Sequence, residues 1–413
     1  MGDEDKMRFG DMLRRARNAR GLSQEELGSG IYPPHFVSLL ERGQRQPSAE
    51  MVRHFAAVLG METQTLSWWV EPPTVEDAPA LAAAMFAANH ARDLQDAALA
   101  ASEAEYAAGL ARDQRNAPVW WDMSMLQAQS LITAGRLEEA EAVLLRMDGS
   151  SLLVADPALH SVVQGRLSTI ARTTGRLLEA LDLAHRSVES ASLLSEHSPT
   201  RLQAAFILIA ALSVKGELDA AWEVAIGLDI EDVPAVPSLL VARGAWAIGN
   251  VAFRRGEIEI GREQHALAAR LLSPRADLEA WAEFHRASAM FALQAGIADE
   301  TVRTSLDHAR AGAQVLQNPR YRFEVMIVEA YFALLHEDLE TAGELLTEVD
   351  DGRALLDFES TLDLEICLGN YFVARSSVAR GVRHLLEAAR LCTEAGADEK
   401  AHELMDQVGL LTA

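Results

Sequence analysis

A six-residue pattern headed by glycine recurs along most of this chain at a nearly fixed interval, and that period constrains the fold more than any other feature. GRLEEA at 135–140 returns as GRLLEA at 175–180, GELDAA at 216–221 and GEIEIG at 256–261, with weaker copies at Gly296 and at Glu337–Ala342. The spacings are 40, 41, 40, 40 and 41 residues. One further step forward reaches Ser376, and one step back reaches Asp93–Ala97. A period of this kind means stacked units, none of which buries its apolar face alone. Each unit reads as helix A, a tight turn, then helix B. Seven residues before the turn stand Ala128, Ser168, Gly249, Ala289, Ala330 and Gly369, with Ile209 the exception. Five residues after it stand Ala140, Ala180, Ala221, Gly261 and Ala342. Small side chains at both places let helices A and B approach closely.

This small–turn–small spacing resembles the tetratricopeptide repeat (TPR), although the period here is longer than that family's. HEAT-type helix pairs are the structural alternative. In TPR-like packing, helix A lines a concave surface with the residues 13, 10, 6 and 2 places before the turn. For the copy turning at Gly256 these are Arg243, Trp246, Asn250 and Arg254, on one helical face. Arg286 and Met290 follow in the next copy, Tyr331 in the one after, and Asp363, Ile366 and Asn370 in the last. Asn250 and Asn370 are 120 residues apart and hold equivalent positions. An asparagine on such a surface bonds both a C=O and an N–H of a peptide backbone, and an arginine takes a carboxylate. Arg243, Trp246, Asn250, Arg254, Arg286, Met290, Tyr331 and Asn370 are therefore the expected ligand-binding set.

The net charge of −24 is unevenly spread. Residues 1–60 carry nine basic and eight acidic side chains, which leaves −25 on residues 61–413. A slightly basic head on an acidic body suits a phosphate-binding module with a DNA-repelling remainder. Within the head, Phe9, Met12, Leu13 and Ala16 form the stripe of a first helix ending near Gly21. Ser23 opens a capping box with Glu26 for a second helix. Gly28, Gly30 and Pro33 force a turn, and Pro34 starts a third helix with Val37 and Leu40 inward. Gly43 and Pro47 break it. Ser48 caps a fourth helix carrying Val52, Phe55, Ala56 and Leu59.

Residues 21–60 resemble the Xre/Cro-type helix-turn-helix domain, on Leu22-Ser23-Gln24-Glu25-Glu26-Leu27, the run Val37-Ser38-x-Leu40-Glu41-Arg42-Gly43, and Arg45-x-Pro47-Ser48. The short turn at Gly30-Ile31-Tyr32 is similar to that of the RRNPP-type peptide-pheromone receptors. The resemblance implies that the third helix enters the major groove of a double-stranded operator. By position, Ser23, Gln24, His35, Phe36 and Ser38 would stand at base edges or backbone, and Arg42 and Arg45 at phosphates. Phe36 reads equally as core. One departure is Pro33, where the family has a serine cap; its loss costs roughly 1 kcal/mol.

Residues 62–79 hold three prolines and read as a linker, with Trp68 and Trp69 as a packing anchor between head and body. The expected organisation is a DNA-binding domain over 6–62, a linker over 63–79 and a repeat domain for sensing and dimerisation over 80–413. The fold class is all-α: an N-terminal helix-turn-helix domain followed by a TPR-like right-handed helical-hairpin solenoid. Enzyme chemistry finds no motif: His336-Glu337 and His402-Glu403 begin like a zinc-protease signature, but Glu340 and Asp406 stand where the second histidine belongs. Cys367 and Cys392 read as reduced, packed thiols. No apolar run reaches the roughly 18 residues of a membrane span. The expectation is a cytoplasmic, homodimeric, cofactor-free regulator that binds an operator and answers a short peptide. The alternatives for its body are a small-molecule effector, a partner protein, or dimerisation alone.

Overall fold

The computed structural model describes residues 3–61, 63–70, 78–150, 152, 156–228 and 236–412. Among these the chain is helical throughout, with no strand. It forms two compact units, Met1–Leu167 and Ser168–Ala413.

In the first unit the head consists of α1 (Asp3–Ala19), α2 (Gln24–Gly28), α3 (Pro34–Glu41), α4 (Ala49–Leu59) and α5 (Thr63–Val70). Ser23 Oγ accepts from the Glu26 amide while Glu26 Oε2 accepts from the Ser23 amide, closing the capping box. Pro33 precedes α3 with no side-chain cap, so that penalty stands. Phe9, Leu13, Leu27, Val37, Leu40, Phe55 and Leu59 make one fully buried core. Gly10 is required where α1 crosses the end of α3, because a Cβ there would lie 2.4 Å from the Leu40 carbonyl oxygen.

Of the linker expected over 63–79, residues 63–70 and 78–79 are helical. Residues 63–70 are α5, whose Leu66 and Trp69 are buried in the head core, the latter with its ring centroid 6.3 Å from that of Phe9. Trp69 therefore anchors within the head. The side chain of Trp68 and residues 71–77 lie outside the described part.

The repeats follow as hairpins. In the first unit these are α6 (Ala78–Asp93) with α7 (Ala97–Asp113), and α8 (Ala117–Thr133) with α9 (Leu137–Asp148). Next come α10 (Pro157–Thr173), in which the division between the units falls, and α11 (Leu177–Ala191). The second unit continues with α12 (Pro199–Lys215) and α13 (Leu218–Ile226), α14 (Ser238–Arg254) and α15 (Ile258–Leu271), and α16 (Leu278–Gln294) and α17 (Glu300–Leu316). It ends with α18 (Pro319–Leu335) and α19 (Leu339–Asp351), α20 (Phe358–Ala374) and α21 (Val378–Ala395), and a final α22 (Asp398–Thr412).

The period has a backbone cause. One residue in each hairpin turn takes φ between +57° and +101°: Gln95, Gly135, Gly175, Gly216, Gly256, Gly296, Glu337 and Ser376. The next amide then reaches back five residues, as Arg136 to Leu131, Glu217 to Leu212 and Ser377 to Phe372. This is the Schellman closure, which favours glycine at the left-handed position and tolerates other residues at a cost. The weaker copies at Glu337 and Ser376 are thus the same turn without its preferred residue. Close approach of A and B also follows from the small residues: Ser168 Oγ donates to the Ala180 carbonyl at 2.7 Å, and a Cβ on Gly381 would lie 2.7 Å from the Gly369 carbonyl oxygen.

Within the second unit the chain packs on itself over a long sequence distance. Leu177, fully buried, belongs to the same core as Leu385, Cys392 and Leu404. Arg172 bonds Glu359, and the ring of Phe358 lies where a Cβ on Gly175 would stand.

Candidate functional site

Two regions have functional geometry. On the head, α3 buries Val37, Leu40 and Glu41 and exposes His35, with Ser38 half-buried. Arg42 and Arg45, just beyond the helix, are both exposed. Phe36 is half-buried: its ring stacks on Tyr32 with centroids 5.9 Å apart, and the Arg45 guanidinium lies 4.0 Å over it. Phe36 thus braces the loop that presents Arg45, which favours the packing side of its two readings. Ser23 spends its hydroxyl on the cap. Gln24 spends its amide on the buried Glu41, at 2.8 Å. The same carboxylate receives Arg17 through Nε at 2.6 Å and Nη2 at 3.0 Å. Nothing in the charge pattern distinguished this pair from solvated charges.

The second region is a half-open cavity of about 610 Å³ in the second unit. The residue two places before the turn lines it in five successive repeats: Val214, Arg254, Gln294, Leu335 and Ala374. Tyr331, Asp363, Ile366 and Asn370 add places 13 to 6 of the last two repeats, and Phe291 and Leu362 add apolar wall. Arg254, Tyr331 and Asn370 of the expected set therefore meet here. Arg254 donates to the Ser213 carbonyl and lies 5.1 Å from the Phe291 ring centroid. Asp363 accepts from Gln294 Nε2 at 3.1 Å. Burial in this chamber pushes the Asp363 carboxyl up to about 6, with Arg254, Arg286 and Lys400 opposing. Burial likewise lowers the Arg254 guanidinium and raises the Tyr331 phenol.

The other five expected residues do not line this cavity. Asn250 Oδ1 is 3.0 Å from Nε2 of His265, whose other nitrogen is 3.0 Å from Ser288 Oγ; burial holds that imidazole neutral, with its pKa down to about 4. Asn250 and Asn370 are equivalent in sequence but not in surroundings. Met290 is buried in the core, and Trp246 meets Phe284 edge-on at 5.8 Å. Arg243 pairs with Asp277 at 3.5 Å. Arg286 lies between Glu283 at 2.8 Å and the buried Glu324 at 3.4 Å. Register alone would have found Val214, Gln294, Leu335 and Ala374. No repeat signal marks Glu359, nor Glu399, Lys400 and Glu403 of α22, which complete the wall. This cavity thus takes in only part of the expected groove, toward the turn ends of the A helices.

Residues 8–69 match a helix-turn-helix domain family. No curated protein matches the chain. Similar solved structures include the apo form of RapI, at 13% identity and TM-score 0.48, covering 70% of this chain and 99% of that one. A Rap protein complexed with competence and sporulation factor is 11% identical with TM-score 0.46, covering 98% of each chain. The apo form of the quorum sensor NprR from B. thuringiensis is 10% identical with TM-score 0.42, covering 98% of this chain and 99% of that one. Residues 8–69 therefore form a helix-turn-helix domain, and the hairpins that follow make a TPR-like repeat array. No described helix is long and apolar enough to cross a membrane.

Proposed function

We propose that this protein is a sequence-specific transcriptional regulator that binds a double-stranded operator as a homodimer, and whose repeat domain binds a short peptide that alters DNA binding. The DNA half rests on α3, which offers exposed His35 and half-buried Ser38 and is followed by the exposed Arg42 and Arg45, in a head that matches a helix-turn-helix family. The sensing half rests on the chamber. Its volume lies in the range of small-ligand sites, and it sets Asn370, Arg254 and Asp363 among Tyr331, Phe291 and Leu362. That mixture suits a ligand with backbone amides, charged ends and apolar side chains. A concavity of this size favours a small ligand over a folded protein partner.

Selection on random duplexes tests the first half. A pseudo-palindrome with half-sites about 10.5 bp apart, or a multiple of that, is expected. Arg42→Ala and Arg45→Ala should weaken all sites alike and flatten the salt slope, whereas His35→Ala should change the preferred bases. Recovery of no enriched motif would defeat it. For the second half, native mass spectrometry of protein taken from its own cells should reveal a bound ligand. Arg254→Ala and Asn370→Ala should lose that ligand with DNA binding retained.

A further inference from the structure

The outward side of α3 carries almost no charge. From Pro34 to Leu40 the sequence holds no Asp, Glu, Lys or Arg. Val37, Leu40 and Glu41 are buried, so Pro34, His35, Ser38 and Leu39 make up the opposite face, spaced three or four apart. Among the described residues, Tyr32 and Phe36 are half-buried by packing on the head core, and Leu39, also half-buried, is not part of that packing. Just before the helix, Ile31 is 66% exposed. Its amide donates to the Gly28 carbonyl at 3.0 Å, which fixes it in the turn between α2 and α3.

Hydrogen-bonding groups are few on this face. Gln24 commits its amide N–H to Glu41, and Ser23 commits its hydroxyl to the cap. His35 and Ser38 remain for base edges, with Arg42 and Arg45 placed for phosphates. In the major groove one base carries an apolar mark that an aliphatic side chain can read, the 5-methyl group of thymine.

We propose that Ile31 and Leu39 read thymine methyl groups, so that each half-site of the operator holds an A·T pair under each of these side chains. This contact rests on α3 as the groove helix and deepens that reading by naming the bases. A duplex suits the face better than an apolar protein partner, because the exposed Arg42 and Arg45 beside it match phosphates. The gain is hydrophobic: each methyl covers aliphatic surface that the free protein leaves in water, and burying one such group is worth about fourfold in affinity.

The test alters the DNA and leaves the protein intact. The duplex recovered by selection on random sequences is remade with deoxyuridine in place of one thymine at a time, which removes only the 5-methyl, and is titrated with the full-length chain. Loss of one contacted methyl should weaken binding about fourfold, and loss at the symmetric place in both half-sites about fifteenfold. In Leu39→Ala one of these penalties should vanish, and in Ile31→Ala the other, the thymine and uracil duplexes then binding within about 1.5-fold of each other. If no thymine in the half-site costs more than about twofold on replacement, the methyl contact is overturned. A uracil penalty that persists undiminished in both variants overturns it as well. Either result leaves the groove assignment standing, since an enriched motif was needed to obtain it; a selection that returns no motif defeats that assignment and this contact together.

Discussion

Replacing Arg17 by alanine should damage the head more than any other single surface-to-core change in it. The Glu41 side chain is only 3% exposed, and Arg17 supplies two of the three hydrogen bonds its carboxylate receives. Arg17 also donates Nη1 to the Leu22 carbonyl at 2.8 Å, tying α1 to the start of α2. Arg17→Ala leaves a buried carboxylate held by Gln24 alone, for which the cost is about 3–5 kcal/mol. Glu41→Ala is milder, about 1–3 kcal/mol, because the freed guanidinium stands nearer to solvent and can reach water. Arg17→Met with Glu41→Leu removes both charges and should return to within about 1 kcal/mol of wild type. Amide exchange read by mass spectrometry on the full chain isolates α1 and α3 from the repeats. Protection there should fall roughly 10²- to 10³-fold in Arg17→Ala, at about 1.4 kcal/mol per decade. Equal losses for Arg17→Ala and Glu41→Ala, or a loss below about tenfold, would refute the unequal-burial argument.

Three further outcomes are expected. Gly249→Ala should lower stability by about 1–3 kcal/mol, since its Cβ would stand 2.2 Å from the His265 ring, whereas Gly109→Ala, with open space around it inside α7, should raise stability by about 1 kcal/mol; thermal unfolding compares them. Glu337→Gly relieves a left-handed residue at φ +59° and should stabilise by up to about 1 kcal/mol in urea titrations; destabilisation would mean that the turn is not strained. Asp363 is a raised carboxyl, about 6 against an ordinary 3.8, so the folded state holds its proton more tightly. Its contribution is therefore fully present below about pH 4 and is lost as pH rises through 6. Asp363→Asn should be more stable than wild type at pH 7 and show a flatter profile between pH 4 and 6; identical profiles would remove the burial argument.

The helices of the head and the hairpins of the body were legible because their causes are local. A Schellman turn needs one left-handed residue, and close A–B packing needs two small ones, so both leave marks at fixed offsets such as Gly175 and Ala180. Ser23, Pro34 and Ser48 mark helix starts for the same reason. Local signals also misled once: Pro72 and Pro73 suggested a linker, yet the eight residues of α5 before them supply Leu66 and Trp69 to the head core. What sequence could not decide was which members of a repeated register face the same space. Asn250 and Asn370 share a position, but His265 on the neighbouring helix B takes the first and Gln407 of α22 the second. The chamber itself depends on contacts within the second unit that bring Leu177 and Gly216 against residues some 200 positions later. Contact over that separation carries no period, and the charges it encloses acquire their properties only from burial.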